Sequence, residues 1–182
     1  ETNRDVFLLN AVDTANYNIE QYLQKGVDEG IDKRFLTANR SPWYSLENRP
    51  PSPIWVGVFN RNGLKFIRNE ANISNLTTFH CIYPNQNGLF SNTDIDLLFA
   101  YLLTDVANQI FDDNRREYGN GLKKIEPNDI NKAKMLDLDL LDPESTQKIL
   151  ELYRLYRESV IAEKLNDKFA NEINNIFLEY FT

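Results

Sequence analysis

Residues Asn39 to Asn69 read Asn-Arg-Ser-Pro-Trp-Tyr-Ser-Leu-Glu-Asn-Arg-Pro-Pro-Ser-Pro-Ile-Trp-Val-Gly-Val-Phe-Asn-Arg-Asn-Gly-Leu-Lys-Phe-Ile-Arg-Asn. Within this stretch, Asn60-Arg61-Asn62-Gly63 is a turn signal, because Asn-Gly tolerates the positive φ of a tight hairpin. Ile54 to Phe59 before the turn and Leu64 to Ile67 after it are rich in β-branched and aromatic residues, which favour strands. The stretch therefore predicts two strands joined by a tight turn.

Further patterns predict the elements around these two strands. Thr77 to Tyr83 predicts a third strand, and Arg34 to Leu36 a short strand before the first. Apolar residues at helical spacing predict a helix from about Thr14 to Lys25, with Gly26 as its C-cap. A second helix is predicted from Thr93 to about Asp113, since acids occupy its first turn, where the helix dipole favours them.

The C-terminal part of the chain is predicted to be helical. Asp142-Pro143-Glu144 is typical of a helix start, with a capping acid followed by proline. From Ile149 to Tyr180 apolar residues recur every three or four positions, which predicts one long helix, or two broken near Asn166-Asp167. We therefore expect an α+β fold with a small, mainly antiparallel sheet packed with helices. The expected domains are residues 1–140, which hold the sheet, and residues 141–182, a helical C-terminal subdomain.

The charge of the chain is unevenly distributed. The whole sequence has a net charge of −7, whereas residues 33–68 carry +6 and residues 115–124 carry +3. Residues 69–114 contain no Lys or Arg. Contact with a polyanion needs only local positive charge, so two basic blocks in an acidic chain indicate a nucleic-acid surface. A chance clustering of solvated Lys and Arg is the alternative.

Individual side chains in these blocks are candidates for DNA contact. Trp43 and Tyr44 lie in a loop rich in Arg and Pro, where they either pack inside the protein or contact a sugar, base or phosphodiester. Arg61, Arg68 and Asn69 lie at a turn or a strand end, where Arg can read guanine and Asn adenine, with simple solvation as the alternative. The full candidate set is Arg40, Trp43, Tyr44, Arg49, Arg61, Lys65, Arg68, Asn69, Arg115, Arg116, Lys123 and Lys124.

The residue types that most catalytic or metal sites need are scarce. His80 is the only histidine and Cys81 the only cysteine, and neighbours on a strand point to opposite faces, so a Cys-His nucleophilic pair is not expected. One His and one Cys cannot build a zinc site. No apolar run approaches the ~20 residues of a membrane span, and the single Cys suits a reducing compartment, so a cytoplasmic location is expected. The missing initiator Met predicts a piece of a longer protein.

A set of short motifs in fixed order resembles one known family. The motifs are Arg40-Ser-Pro-Trp-Tyr-Ser-Leu-Glu47, Pro50-Pro-Ser-Pro-Ile-Trp-Val56, Phe66-Ile-Arg-Asn-Glu70, Asn75-Leu-Thr-Thr-Phe-His80, Ile82-Tyr-Pro84 and Arg116-Glu-Tyr-Gly-Asn-Gly-Leu-Lys-Lys-Ile-Glu-Pro-Asn-Asp129. In this order they resemble the C-terminal target-recognition region of adenine-specific DNA methyltransferases from bacterial restriction–modification systems.

The resemblance implies that this chain recognises double-stranded DNA and that catalysis lies elsewhere in the parent protein. In that family an N-terminal domain binds S-adenosylmethionine and carries the loop that methylates a flipped adenine. The implied partners are therefore DNA and the catalytic methyltransferase domain, with no cofactor in this fragment and no membrane. By the same resemblance Arg40, Trp43 and Tyr44 face the DNA backbone, and Arg68 and Asn69 read bases.

Two other functions stay open. The chain can be a specificity or interaction module that pairs through its C-terminal helices with a separate methyltransferase or nuclease subunit. A stand-alone hydrolase that uses His80 is the remaining, enzymatic alternative.

Overall fold

A computed structural model of the chain describes residues 8–11, 16–47, 49–61, 63–84, 94–112, 116–118 and 120–180, and for Arg116 and Tyr118 it describes the main chain alone. The chain groups into two compact units, Glu1–Arg49 and Pro50–Thr182. The division falls in a proline-rich segment, a composition that favours an extended, stiff backbone. The domain boundary expected between residues 140 and 141 stays a prediction.

The first unit contains helix α1, Tyr17–Asp28. It begins at Asn16, whose side-chain oxygen accepts a hydrogen bond from the Asn18 amide and so satisfies one unpaired helical donor. The predicted helix is confirmed, but it continues through Gly26, which lies buried inside it. Gly30 adopts the left-handed conformation beyond the helix end, with φ of 69°, which glycine tolerates without steric cost.

A second, short helix follows in the same unit. Helix α2 spans Phe35–Ala38, so the strand predicted over Arg34 to Leu36 is wrong. The amide of Arg34 donates to the carbonyl of Ile31, and the amide of Ala38 donates to the carbonyl of Arg34. These consecutive turn and helical bonds hold the segment in a tight coil and leave its main chain no partner strand.

The second unit is built on two small antiparallel sheets. The strands in the described residues are β1 Ile54–Gly57, β2 Phe59–Asn60, β3 Phe66–Arg68, β4 Phe79–Ile82, β5 Arg116–Tyr118 and β6 Leu122–Lys124. The first sheet has the order β3-β1-β4 and the second the order β2-β6-β5. In the first sheet, Ile54 lies opposite Arg68 on one side and Ile82 on the other. The three predicted strands are therefore all present.

The connection between β1 and β3 differs from the prediction. The strand expected over Ile54 to Phe59 is divided at Val58, and β2 pairs with β6 instead of continuing the first sheet. The Asn60 side-chain amide donates to the carbonyl of Gly57 at 2.6 Å, and the amide of Ile125 donates to the carbonyl of Val58. The pairing of β1 with β3 is antiparallel, but the predicted tight turn does not join them, because β2 belongs to the other sheet.

Helices cover the sheets. Those described in the second unit are α3 Ile95–Leu102, α4 Asp105–Asp112, α5 Pro127–Lys132, α6 Pro143–Ile161 and α7 Asp167–Glu179. Two helices, α3 and α4, stand where one was predicted over Thr93 to Asp113. The break occurs at Thr104, whose hydroxyl donates to the carbonyl of Tyr101 and accepts from the amide of Ala107, which caps α4.

The C-terminal helices begin as predicted. The carboxylate of Asp142 accepts a hydrogen bond from the Ser145 amide at 2.9 Å at the start of α6. The side-chain oxygen of Asn166 accepts from the Lys168 amide at the start of α7, which confirms the predicted break.

One core joins strands and helices of the second unit. It contains Ile54 and Val56 of β1, most of α3, and buried side chains of α6 and α7. Tyr101 of α3 packs edge-on against Phe177 of α7 with ring centroids 5.3 Å apart. The predicted α+β fold is thereby confirmed. None of the helices in the described residues has the length and apolar character that crossing a bilayer requires.

Candidate nucleic-acid interface

The second sheet brings the two basic blocks of the sequence together. β2 lies in the first block, and β5 and β6 lie in the second. Phe59 pairs with Lys124, and Asn60, which precedes Arg61, pairs with Lys123. Lys124 in turn lies opposite Arg116 on β5. Three of the candidate cations, Arg116, Lys123 and Lys124, therefore lie on one small sheet, and Arg61 of the other basic block follows its strand β2 directly.

The two lysines of β6 are directed by different neighbours. Lys123 Nζ lies 2.5 Å from Asp112 Oδ2, at the end of α4. Lys124 Nζ lies 2.5 Å from Glu126 Oε1 and 5.6 Å from the centre of the Phe59 ring. Both ammonium groups therefore have an acidic partner, and the positive field of this sheet is partly compensated within the protein.

Arg61 and Lys65 lie between β2 and β3, and both are exposed. The main-chain carbonyl of Lys65 accepts a hydrogen bond from the Gly57 amide at 3.0 Å, which fixes its backbone beside β1. Arg61 follows the last residue of β2 directly. Both side chains belong to the segment that connects β2 to β3. They are exposed to solvent, as a cation that contacts phosphate must be.

Arg68 is held inside the protein by two different elements. Its Nε donates to Asp96 Oδ1 of α3 at 3.0 Å, and its guanidinium also donates to the carbonyl of Pro53 at 3.1 Å. It lines a cleft of about 730 Å³ together with Arg154 and Arg157 of α6. The guanidinium therefore serves to join β3 to α3, and only part of it is open to a ligand.

Asn69 is only 8% exposed and its amide is fully used by the fold. Its Nδ2 donates to the carbonyls of Ser52 and Ile73 at 2.8 and 2.9 Å, and its Oδ1 accepts from the Ile73 amide. An adenine reader needs the same donor and acceptor free. The geometry therefore gives Asn69 a structural role, that of holding the main chain at Ser52 and Ile73.

Next to Asn69, Glu70 forms a bidentate pair with Arg157 of α6. Arg157 Nε donates to Glu70 Oε1 at 2.6 Å, and a second guanidinium nitrogen contacts Oε2. These hydrogen bonds hold the pKa of Glu70 below its ordinary value of 4.5; burial opposes them, and the positive charges of Arg157 and Arg68 add to the lowering. The pair ties the end of β3 to α6.

Replacing Glu70 with glutamine is expected to lower stability at neutral pH and to have little effect in acid. Because the pKa of Glu70 is lower in the folded chain, its stabilisation is present above the unfolded pKa and is lost as pH falls through the folded one. The loss is small, since the pair is more than a third exposed. Urea unfolding of both proteins at pH 7 and pH 3 measures it. A gap that widened in acid would contradict this account.

In the first unit, Arg40 and Arg49 share one acid. Arg40 donates to the carbonyl of Ser45 at 3.0 Å and lies 3.8 Å from Glu47, and Arg49 lies 3.0 Å from the other oxygen of the same carboxylate. Two guanidinium groups around one carboxylate leave a net positive charge on this loop. Exposed pairs of this kind are weak, so a phosphate can compete with Glu47 for them.

Trp43 packs onto helix α1. Its ring lies over Gly26, so closely that a Cβ at that position would lie 2.6 Å from Trp43 Cη2. Tyr44 meets Trp43 edge-on, with ring centroids 5.6 Å apart. Both aromatic residues are half-buried. Trp43 therefore holds the proline-containing loop against α1, in agreement with the packing alternative, and both residues stay partly exposed.

Replacing Gly26 with alanine is expected to destabilise the first unit by about 1 kcal/mol. Alanine gains about 1 kcal/mol of helix propensity over glycine, but forcing a methyl group against a packed ring costs ~1–3 kcal/mol. Thermal unfolding followed by circular dichroism measures the net effect. Gln21→Ala, on the exposed face of α1, is the control, and adding Trp43→Phe to Gly26→Ala should restore part of the loss. Equal or higher stability of Gly26→Ala alone would contradict this packing.

His80 and Cys81 have structural partners. His80 Nε2 lies 3.0 Å from the carbonyl of Ile125, and Cys81 Sγ lies 2.9 Å from Asn75 Oδ1. In the part of the chain that the structure describes, no group of three or more His, Cys, Asp or Glu could hold a metal ion. Both side chains therefore have hydrogen-bonding partners within the fold. Arg115 lies outside the described residues.

Comparison with known proteins decides the family. The profile described as type II methyltransferase M.Eco57I, C-terminal domain, matches residues 1–172. The chain belongs to this family. It is 57% identical over 182 residues to the type II methyltransferase M.AccI of Acinetobacter calcoaceticus, all of this chain but 34% of that protein. It is 24% identical over 123 residues to M.XamI of Xanthomonas campestris pv. amaranthicola, 68% of this chain and 22% of that protein.

The chain thus spans about a third or less of the curated relatives it matches. The predicted resemblance to the C-terminal region of bacterial restriction–modification methyltransferases is confirmed. The family description also suits the scarcity of catalytic residue types in this domain.

Three exposed side chains of this domain are not singled out by its sequence motifs. Phe59 is 56% exposed beside Lys124, although a hydrophobic strand predicts a buried side chain. Lys33 and Arg34 lie exposed next to the exposed α2. Both residues belong to the basic block at residues 33–68. The sequence does not single them out within it, because it does not predict that an exposed helix follows them.

Proposed function

We propose that this chain is the DNA-recognition domain of an adenine-specific type II methyltransferase. The observation that carries the proposal is the pairing of β2 with β6, which brings the first basic block, at Arg61, next to the second, at Lys123 and Lys124, in a family of methyltransferase C-terminal domains. The parent protein would bind S-adenosylmethionine in another domain and carry out methylation there. The partners of this chain are then double-stranded DNA and that catalytic domain.

The second sheet supplies the proposed contact in the second unit. Arg61 and Lys65 are exposed, and Lys123 and Lys124 each form an ion pair with a partly exposed acid. A partly exposed ion pair is worth little, so a phosphate can replace Asp112 or Glu126. Because Phe59 lies beneath Lys124, the site also offers an aromatic face beside a cation.

The first unit supplies a second group of contacts. Arg40 and Arg49 surround Glu47, and the rings of Trp43 and Tyr44 stand beside them. Residues 33–46 contain three cations and no acid. Such a segment suits the DNA backbone, which is contacted by Arg and Lys together with aromatic and polar side chains.

The proposal predicts salt-dependent binding to duplex DNA. Each phosphate neutralised by a cation lowers log K by ~0.9 per tenfold rise in salt, so several contacts give a steep slope. Fluorescence anisotropy of a labelled duplex between 50 and 200 mM salt should therefore show a loss of affinity of at least about tenfold. A flat response, or absence of binding at low salt, would contradict the proposal.

A second candidate function rests on an apolar surface of α6. A groove of about 510 Å³ lies between β3 and α6, lined by Phe66, Tyr156, Val160 and Ile161. Ile161 is 64% exposed. This favours a module that pairs with a separate methyltransferase or nuclease subunit through its C-terminal helices.

Deletion of residues 143–182 is unsuited as a test of this candidate, since Ile149 and Phe177 belong to the core. The substitution Ile161→Glu removes apolar surface without touching the core. Loss of co-purification of a subunit with Ile161→Glu, at unchanged DNA binding, would support the pairing module. Unchanged co-purification would count against it.

A further inference from the structure

Helix α2 presents two large apolar side chains to solvent. Phe35 is 83% exposed, the highest value among the large hydrophobic residues in the part of the chain that the structure describes, and Leu36 is 70% exposed. Burying such side chains is worth ~1.5–3 kcal/mol each, so their exposure forgoes a substantial stabilisation. Two adjacent apolar side chains that are both strongly exposed on one short helix indicate a surface that contacts a partner.

The element that carries them is well ordered by its hydrogen bonds. The Thr37 hydroxyl donates to the carbonyl of Arg34 at 3.1 Å and also contacts the carbonyl of Ile31. The side-chain amide of Asn39 donates to the carbonyl of Phe35 at 2.6 Å. Hydrogen bonds from these side chains therefore fix the backbone on both sides of Phe35 and Leu36.

The charges around the pair identify the class of partner. Lys33 and Arg34 precede Phe35 directly, both are exposed, and Arg40 follows α2. No Asp or Glu lies between residue 33 and residue 46. A pair of apolar side chains surrounded by cations is complementary to a polyanion with an apolar interior. Duplex DNA has this character, with stacked bases between two lines of phosphates.

We propose that Phe35 and Leu36 enter between stacked base pairs of duplex DNA, with Lys33 and Arg34 on the flanking phosphates. Apolar wedges of this kind unstack a base step and kink the duplex. This inference rests on the proposed DNA-recognition function and adds to it the unstacking of one base step. A step that is already unstacked lowers the cost of bringing a neighbouring base out of the helix.

The test compares two DNA probes and four proteins. The probes are a 30-base-pair duplex and the same duplex with one abasic position, at which the stack is already weakened. The proteins are the 182-residue chain, Phe35→Ala/Leu36→Ala, Lys33→Ala/Arg34→Ala and, as a matched control, Leu140→Ala, another strongly exposed apolar side chain. Circular dichroism first establishes that all four are folded.

We expect the unaltered chain and Leu140→Ala to bind the abasic duplex about tenfold more tightly than the intact one, since a wedge avoids unstacking there. Phe35→Ala/Leu36→Ala should bind both probes alike, with affinity for the intact duplex changed less than threefold. Lys33→Ala/Arg34→Ala should weaken binding to both probes equally and keep the preference.

The outcomes separate this inference from the function beneath it. Absence of salt-dependent binding by the unaltered chain would overturn both. Salt-dependent binding without an abasic preference, or a preference that Phe35→Ala/Leu36→Ala retains, would overturn the wedge alone. A change in self-association caused by Phe35→Ala/Leu36→Ala, with the preference intact, would also overturn it and assign the pair to a protein surface.

Discussion

Replacing Asn69 with alanine lowers the free energy of unfolding of the second unit by about 2–3 kcal/mol. The substitution removes three hydrogen bonds and leaves the carbonyl of Ser52 without this partner in a buried place. Each of these bonds is worth ~1 kcal/mol net, and this figure already includes the penalty for leaving the carbonyl of Ser52 unsatisfied. Urea unfolding followed by circular dichroism measures the change.

Asn175→Ala is the matched control, because Asn175 lies exposed on α7, where alanine favours the helix. It should leave stability unchanged or raise it slightly. The fraction of Asn69→Ala that is folded should bind duplex DNA as the unaltered chain does. A stable Asn69→Ala protein with lost DNA affinity would contradict the structural role and return this residue to base reading.

Removing the two lysines of β6 together with Arg61, which follows β2, has the largest expected effect on DNA binding. In Arg61→Gln/Lys123→Gln/Lys124→Gln, the affinity for a duplex at 50 mM salt should fall about 100-fold. The slope of log K against log salt should become shallower by up to ~3, since up to three phosphate contacts are lost. Anisotropy titrations at several salt concentrations give both quantities.

The control for this variant removes the same charge from another part of the second unit. Lys148, Lys164 and Lys168 lie exposed on or between α6 and α7. Changing all three to glutamine alters the net charge equally but should reduce affinity less than threefold. If both triple variants weakened binding alike, the overall charge and not the second sheet would govern it. Thermal unfolding of both triple variants shows whether loss of the Lys123–Asp112 ion pair has impaired folding.

The prediction of the fold from sequence was good where local signals agreed. Asp142 and Asn166 cap the C-terminal helices as their chemistry predicts, since a short polar side chain satisfies amides a few residues away. The β-branched and aromatic composition of Ile54 to Phe59 likewise predicts a strand, and the structure contains β1 there. These features depend on residues close in sequence or on a simple period.

The errors occurred where a distant partner decided the outcome. No residue in the apolar run through Val58 indicates that β2 belongs to a second sheet. The strand that β2 pairs with, β6, lies far along the chain. The apolar pattern of α3 and α4 is continuous, and only the hydroxyl of Thr104 marks the break. Arg34 to Leu36 has strand composition, but turns on either side hold it as a helix.

The candidate site was only partly predictable for the same reason. Charge counting identified the basic blocks, but it could not show that β2 and β6 adjoin. Nor could it show that Asn69 is buried, because its partners Ser52 and Ile73 are known only from the fold. The candidate side chains of the second sheet stay in the proposal, as do those of the loop around Glu47.

The most direct measurement of the central claim is lysine footprinting with and without duplex DNA. Acetic anhydride modifies exposed lysines, and mass spectrometry of peptides gives the rate at each position. The account predicts that DNA slows modification of Lys65, Lys123 and Lys124, which lie on or beside the second sheet, and leaves Lys148 and Lys164 unchanged. Equal rates at the sheet lysines in the two samples, or protection confined to Lys148 and Lys164, would contradict it.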